Sequence, residues 1–536
     1  MNSCLWWRVV FLLSAILSGV PAHAGVYQPI DTLGLPYGLT HLPPATAYLN
    51  LPATNTGAIP ALLSQTRAFG DVATLVPASG LIPYGVIVPL WSDGALKSRW
   101  FALPGDGVAA QIGFTPAGEW SFPDGTVFIK HFELATDETA PTVRRRLETR
   151  FLVRQAGGGV YGVTYRWRAD NSDADLLSGA RTEDITIKTA SGTRTQTWYY
   201  PSRQDCLACH TAVSGYVLGL KTRQLNCAFT YPGSEVTDNQ LRTLNQLGLF
   251  SPAITNENDI AALPRLSALT DSTASLEERA RSYLDANCAQ CHRPGGTGPT
   301  FDARHSTPLA NQHLINATLV KGNVGADNAR AVAPKDIWRS AVYFRMGTTD
   351  PLAQMPTLAR NLVDTSALAV LADWINSLPG IPALAPPVFT PTGGSLVAGQ
   401  TVAIQATNPA AQFRYTLDRT DPTTNSPLYA GAIRLTNTVT LKARAFADGF
   451  VDSIVSSAVF AVKAGVALGN PTFGADGRFQ FNVTATAGKT YRLESSTDFA
   501  QWTILGTNVP ATAVFELLDP LAPEQPRKFY RVIQQP

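Results

Sequence analysis

A chain of 536 residues allows three or four domains of about 150 residues each. Charged residues make up only 15%, and 42 Lys+Arg against 40 Asp+Glu leave a net charge of +2. This excludes a disordered chain, a coiled coil and a nucleic-acid binder, while 42 Gly and 38 Pro favour turn-rich β domains.

At the N-terminus, Arg8 precedes the apolar run Val9–Val20, which is too short to span a bilayer. Ala22-His23-Ala24 then places small residues where a signal peptidase reads. Residues 1–24 are therefore expected to be a Sec signal peptide, and the mature protein to be periplasmic or secreted to the cell surface. No later segment has eighteen uninterrupted apolar residues, so no transmembrane segment is expected in the mature chain.

Residues 25–270 read as a β-rich domain. Arg146, Glu148 and Arg150 alternate with Leu147, Thr149 and Phe151, the period of a half-buried strand, and Gly159–Arg168 and Thr195–Tyr200 read similarly. His131 sits in the apolar stretch Val127-Phe-Ile-Lys-His-Phe-Glu133, where alternation sets Phe128, Lys130 and Phe132 opposite Ile129, His131 and Glu133.

Six cysteines are present, and five remain once Cys4 leaves with the signal. An odd number does not suit a disulfide framework. Four of them fall in two copies of one pattern, Cys206-Leu-Ala-Cys209-His210 and Cys288-Ala-Gln-Cys291-His292. C-x-x-C-H is the attachment motif of c-type haem: two thiols join the vinyl groups, and the histidine takes the iron. Two covalently bound haems c are expected. A zinc site would need its two Cys pairs much closer in sequence. Cys227 is left over and reads as a buried free thiol.

Residues 271–382 read as a small helical module around the second motif. Ser275-x-x-Glu278 opens a helix that delivers Cys288, and the loop Pro294–Pro299 can supply a carbonyl to the His292 ring N–H. Asp364–Leu378 closes the module as a helix stopped by Pro379-Gly380, with Met355-Pro356 between. Helix, C-x-x-C-H, loop, Met-Pro and final helix resemble a class I cytochrome c. That resemblance implies Met355 as the distal ligand, with Met346 as competitor. The first motif has no such helix or Met-Pro, so its distal ligand must come from elsewhere or be absent. Among His41, His131, His305 and His313, the strand residue His131 is the candidate.

The stretches Leu81–Gly85, Pro89–Ala95, Phe122–Phe132, Arg146–Arg150, Tyr200–His210 and Leu218–Asn226 resemble a family of exported bacterial dihaem c-type cytochromes. Some relatives are fused to a quinoprotein sugar-dehydrogenase-like propeller, for which residues 25–80 are far too short. The resemblance implies haem and export. The partner expected is a redox protein, either a dehydrogenase or another cytochrome, with no nucleic acid.

After the proline-rich Ala383–Pro391, residues 383–463 resemble the C-terminal β-sandwich of chitobiase and β-hexosaminidase, through Phe413–Asp418, Asp421-Pro422, Pro427–Gly431 and Val439–Phe446. Residues 464–536 form a further β domain resembling C-terminal modules of large secreted bacterial proteins. Both read as spacers or as adhesion modules touching glycan or the cell surface. The expected fold is thus multidomain and mainly β, with a small all-α class I-like cytochrome c module and C-terminal β-sandwich domains. The expected function is one-electron transfer. The alternatives are a dihaem peroxidase or oxidase with one open haem site, and a surface binding protein.

Overall fold

The computed structural model describes residues 34–535 apart from 106–109, 299, 321, 323, 359, 464–465, 474–477 and 520–526. The expected signal peptide lies outside the described residues. The chain is multidomain and mainly β, and forms two compact units that divide after Gly380. Among the described residues no helix is long and apolar enough to cross a membrane.

The first unit is built on an antiparallel meander of six strands: β1 (Ile82–Pro83), β2 (Leu96–Ala102), β3 (Val127–Ala135), β4 (Arg144–Arg154), β5 (Val160–Trp167) and β6 (Ala174–Leu176). A hairpin follows, β7 (Arg181–Thr189) with β8 (Gly192–Tyr200). Both faces of the meander are covered. Ile129, Phe151, Val163 and Trp167 pack on one side with Leu51, Leu63 and Phe69. Phe101 and Phe128 pack on the other with Trp120, Leu220, Leu225 and Phe250. Between Phe132 and Glu133 the register slips, so Leu147 becomes an extra residue on β4, a bulge that re-aims the strand end.

Pro201 ends β8, and a short helix begins at once: α1 (Arg203–Cys209). Its Ser202 cap accepts from the Asp205 N–H while Asp205 takes the Ser202 N–H, a reciprocal pair that holds this short turn. The helices α2 (Thr222–Leu225) and α3 (Gln240–Gln246) complete the layer. Then α4 (Leu276–Cys288), capped by Ser275, packs on α6 (Thr365–Ser377), capped by Asp364, with α5 (Ala341–Gly347) against α6. Their shared core includes Leu284, Met346, Leu371, Trp374 and Ile375.

Within the described residues, 34–270 and 271–380 fall in one compact unit. The reason is polar and nonlocal. The Trp91 N–H donates to Asn287 Oδ1 at 2.7 Å, and the Asp93 carboxylate accepts the N–H groups of Asn361 and Leu362 at 2.9 and 2.8 Å.

The second unit holds two β modules. In the first, strands Gly394–Val397, Ser456–Lys463, Val439–Phe446 and Gln412–Thr416 form one sheet, and Val388–Thr390, Thr401–Gln405 and Ile433–Arg434 another. Phe389, Val402, Leu441, Ala443 and Phe460 fill the space between, so the alternation of Leu441 and Ala443 marks the inner face. The last module pairs two three-stranded sheets around Phe481, Val483, Tyr491 and Leu493.

Candidate functional site

The two C-x-x-C-H motifs, far apart in sequence, meet in the fold. The thiols of Cys206, Cys209, Cys288 and Cys291 are all free, and those of Cys209 and Cys291 lie close enough to shift each other's titration. The neighbouring thiol, with the Thr297 hydroxyl and the Arg293 guanidinium, draws Cys291 down, and Cys209 is pushed up. Cys288, closed off from water, is pushed up to about 12 by burial. The motifs are also stitched through backbone: Arg293 Nη1 donates to the Val213 carbonyl at 3.0 Å.

His210 ends α1 with its Nδ1–H donating to the Tyr216 carbonyl at 2.6 Å. This fixes the ring and leaves Nε2 as the ligating nitrogen. Burial, with the Lys130 charge nearby, lowers His210 to about 4, so the imidazole is neutral, as a metal ligand must be. His292 is likewise lowered by burial and by Arg345. Its ring stacks on Phe301 at 4.2 Å. The carbonyl expected for His292 is not found: its buried Nδ1 has no hydrogen-bond partner among the described residues. Instead the loop backbone crosses the ring so closely that a Cβ at Gly298 would lie 2.6 Å from Nδ1.

Cys288 shares a small cavity with Trp91, Tyr283, Met346, Met355 and Arg360. Both methionines therefore lie beside the second motif. The cavity holds about 10 Å³, so these side chains must part to admit a porphyrin. Among the described residues no three His, Cys, Asp or Glu side chains converge in a group that could hold a metal ion. Four free thiols in two pairs, each with a neutral imidazole and one pair with thioether sulfurs at hand, fit covalent haem.

His131 is not brought to the first motif. It pairs with Thr149 on β4, its Nδ1 lying 2.9 Å from Thr149 Oγ1, and its ring meets Trp167 edge-on. The first motif sits on the other face of the sheet. A Cβ at Gly162 would lie 2.5 Å from Cys206 Sγ, and Thr164 Oγ1 donates to the Pro201 carbonyl at 3.1 Å. Gly162 and Thr164 share their face with Leu152, Arg150 and Lys130. Of the remaining histidines, His305 bonds Glu278 at 2.8 Å, and His41 and His313 are exposed. Cys227 is buried, its sulfur 3.3 Å from Gln240 Nε2.

Two groups escaped the sequence reading. Lys130, half-buried on the face of the first motif, is lowered to about 7 by burial and by the charges of Arg99 and Arg150. Around the second motif, Glu119 takes Lys221, Arg223 and Arg293 at 3.1, 2.9 and 3.2 Å, and Asp285 takes Arg223 at 2.9 Å. Glu119 is lowered to about 2: burial opposes its charge, but the three cations outweigh it. Asp285 stands in α4 just before Cys288, and Arg293 follows His292, so this network locks the second motif to the β region. The only cue in the sequence was so many charges within apolar stretches of a chain with few of them.

Residues 391–457 match the chitobiase/beta-hexosaminidase C-terminal domain family. No curated protein matches the chain.

Proposed function

We propose that this chain is an exported dihaem c-type cytochrome, periplasmic or at the cell surface, that passes single electrons between a redox protein and an acceptor. The observation that supports it best is the meeting of the two attachment motifs, where Arg293 donates to the Val213 carbonyl at 3.0 Å and the Cys209 and Cys291 thiols lie near each other. Cys206 and Cys209 would hold one haem and Cys288 and Cys291 the other, with His210 and His292 as proximal ligands. When bound, each haem supplies a one-electron iron couple. The residues themselves hold the imidazoles neutral, fix the His210 ring through Tyr216, and clamp the second motif through Glu119 and Asp285. Residues 271–382 then act as a class I-like cytochrome module, and the C-terminal β modules contact glycan or the cell surface.

Met355 is the distal ligand proposed for the second haem. Met355→Ala is expected to abolish the methionine–iron band at the red end of the spectrum and to lower one midpoint potential, because soft thioether sulfur favours ferrous iron. The same changes in Met346→Ala, with Met355→Ala silent, would move the assignment to Met346.

The placement of His131 favours a second reading, a peroxidase- or oxidase-type enzyme whose first iron keeps an open site. The spin state of the resting protein separates the two. Two low-spin haems are expected for electron transfer; one high-spin, five-coordinate haem would favour the enzyme.

A further inference from the structure

Four strands carry one row of side chains on the face beneath the first motif. Arg99 on β2 is in register with Lys130 on β3, Lys130 with Arg150 on β4, and Arg150 with Thr164 on β5. Residues directly opposite in antiparallel strands share a face, at steps of about 4.8 Å between strands. α1 covers the β5 end of this row, where Cys206 Sγ stands against Gly162 and Pro201 against Thr164.

Three cations in register repel one another, and two of them are engaged. Glu148 chelates Arg150, and Arg99 donates to the Lys97 carbonyl at 3.2 Å. Lys97, on the same face, donates to the Leu90 carbonyl at 2.6 Å. Lys130 alone in this group makes no hydrogen bond or ion pair among the described residues. It shares its strand face with Arg150 and Thr164 and lies two strands from the β5 residues that α1 covers. The other side chains suited to iron are elsewhere: His131 on the far face, and Met346 and Met355 beside Cys288.

We propose that the Lys130 amine is the distal ligand of the haem held by Cys206, Cys209 and His210. The proposal rests on the dihaem reading above. The step is a coordination: Nζ releases one proton to solvent and directs its lone pair to the iron. It takes one positive charge out of a repulsive row and gives the first iron a sixth ligand without His131.

The test uses the full chain matured with haem, read by the visible and electron paramagnetic resonance spectra together with haem staining. Wild type is expected to show two low-spin haems. Lys130→Ala is expected to convert half of the low-spin signal to high-spin while both haems stay attached. Lys130→Arg keeps the bulk and the charge, but a guanidinium does not deprotonate in proteins, so the same half is expected to be lost. Lys130→His, which restores a ligating nitrogen, is expected to return the low-spin signal at a shifted position. A full low-spin signal in Lys130→Arg, or a high-spin first haem in wild type, would overturn the proposal and leave the dihaem reading standing. A wild-type chain with no stain would instead remove the reading on which it rests.

Discussion

Asp285→Ala is expected to destabilise the first unit by about 3–5 kcal/mol, the range for removing one partner of a buried ion pair. The Asp285 side chain is fully buried, and Arg223, its partner at 2.9 Å, is only 3% exposed. Lys221 lies 3.8 Å away, and the His305 N–H donates to the same carboxylate at 2.9 Å. Truncation leaves two buried cations facing a gap and one backbone donor unsatisfied. Denaturant unfolding measures the loss, and a change below 1 kcal/mol would show that Glu119 alone neutralises the cluster. Burial works against the Asp285 charge, but Lys221 and Arg223 outweigh it and hold its carboxyl below the usual carboxylate range. Its contribution is therefore present at neutral pH and fades as pH falls through the acid range. The same variant loosens α4 just ahead of Cys288, so the second haem is expected to broaden spectrally before the first.

Loss of covalent haem should follow the motifs one by one. Cys206→Ala with Cys209→Ala is expected to remove one haem, and Cys288→Ala with Cys291→Ala the other, each halving the haem stain after denaturing electrophoresis. Thioether bonds survive denaturation, so the stain reports attachment rather than folding. Because the Cys209 and Cys291 thiols lie near each other, each pair of substitutions also changes the surroundings of the other motif. The remaining haem is therefore expected to shift in potential. A stain unchanged by either pair of substitutions would exclude that motif as an attachment point.

What could be read from the sequence was local. The C-x-x-C-H motifs declare themselves within five residues. Ser275 and Asp364 cap the helices they were expected to open, since a cap acts within one turn. Strand alternation correctly put Lys130 and His131 on opposite faces, because the side-chain period is a property of the strand itself. It could not say which face the first motif would cover. That depends on the contacts of Cys206 with Gly162 and of Thr164 with Pro201, formed only when β5 and α1 come together. Whether His131 would face the first motif was therefore a matter of long-range packing, which strand alternation does not carry. The union of the β region with the helical module was beyond local reading for the same reason. Glu119, Arg223, Asp285 and Arg293 come from four separate stretches, and no local pattern announces their meeting. The short α1 was missed for a smaller cause: its Ser202–Asp205 capping pair is one turn long and sits directly on a strand end.

The central claim is that both motifs carry haem, and the intact mass of the mature chain tests it most directly. Protein produced in a host with haem-maturation machinery, measured after denaturation, is predicted to weigh as one polypeptide plus two haems. A mass equal to the bare polypeptide, with the thiols of Cys206, Cys209, Cys288 and Cys291 still open to alkylation, would contradict it.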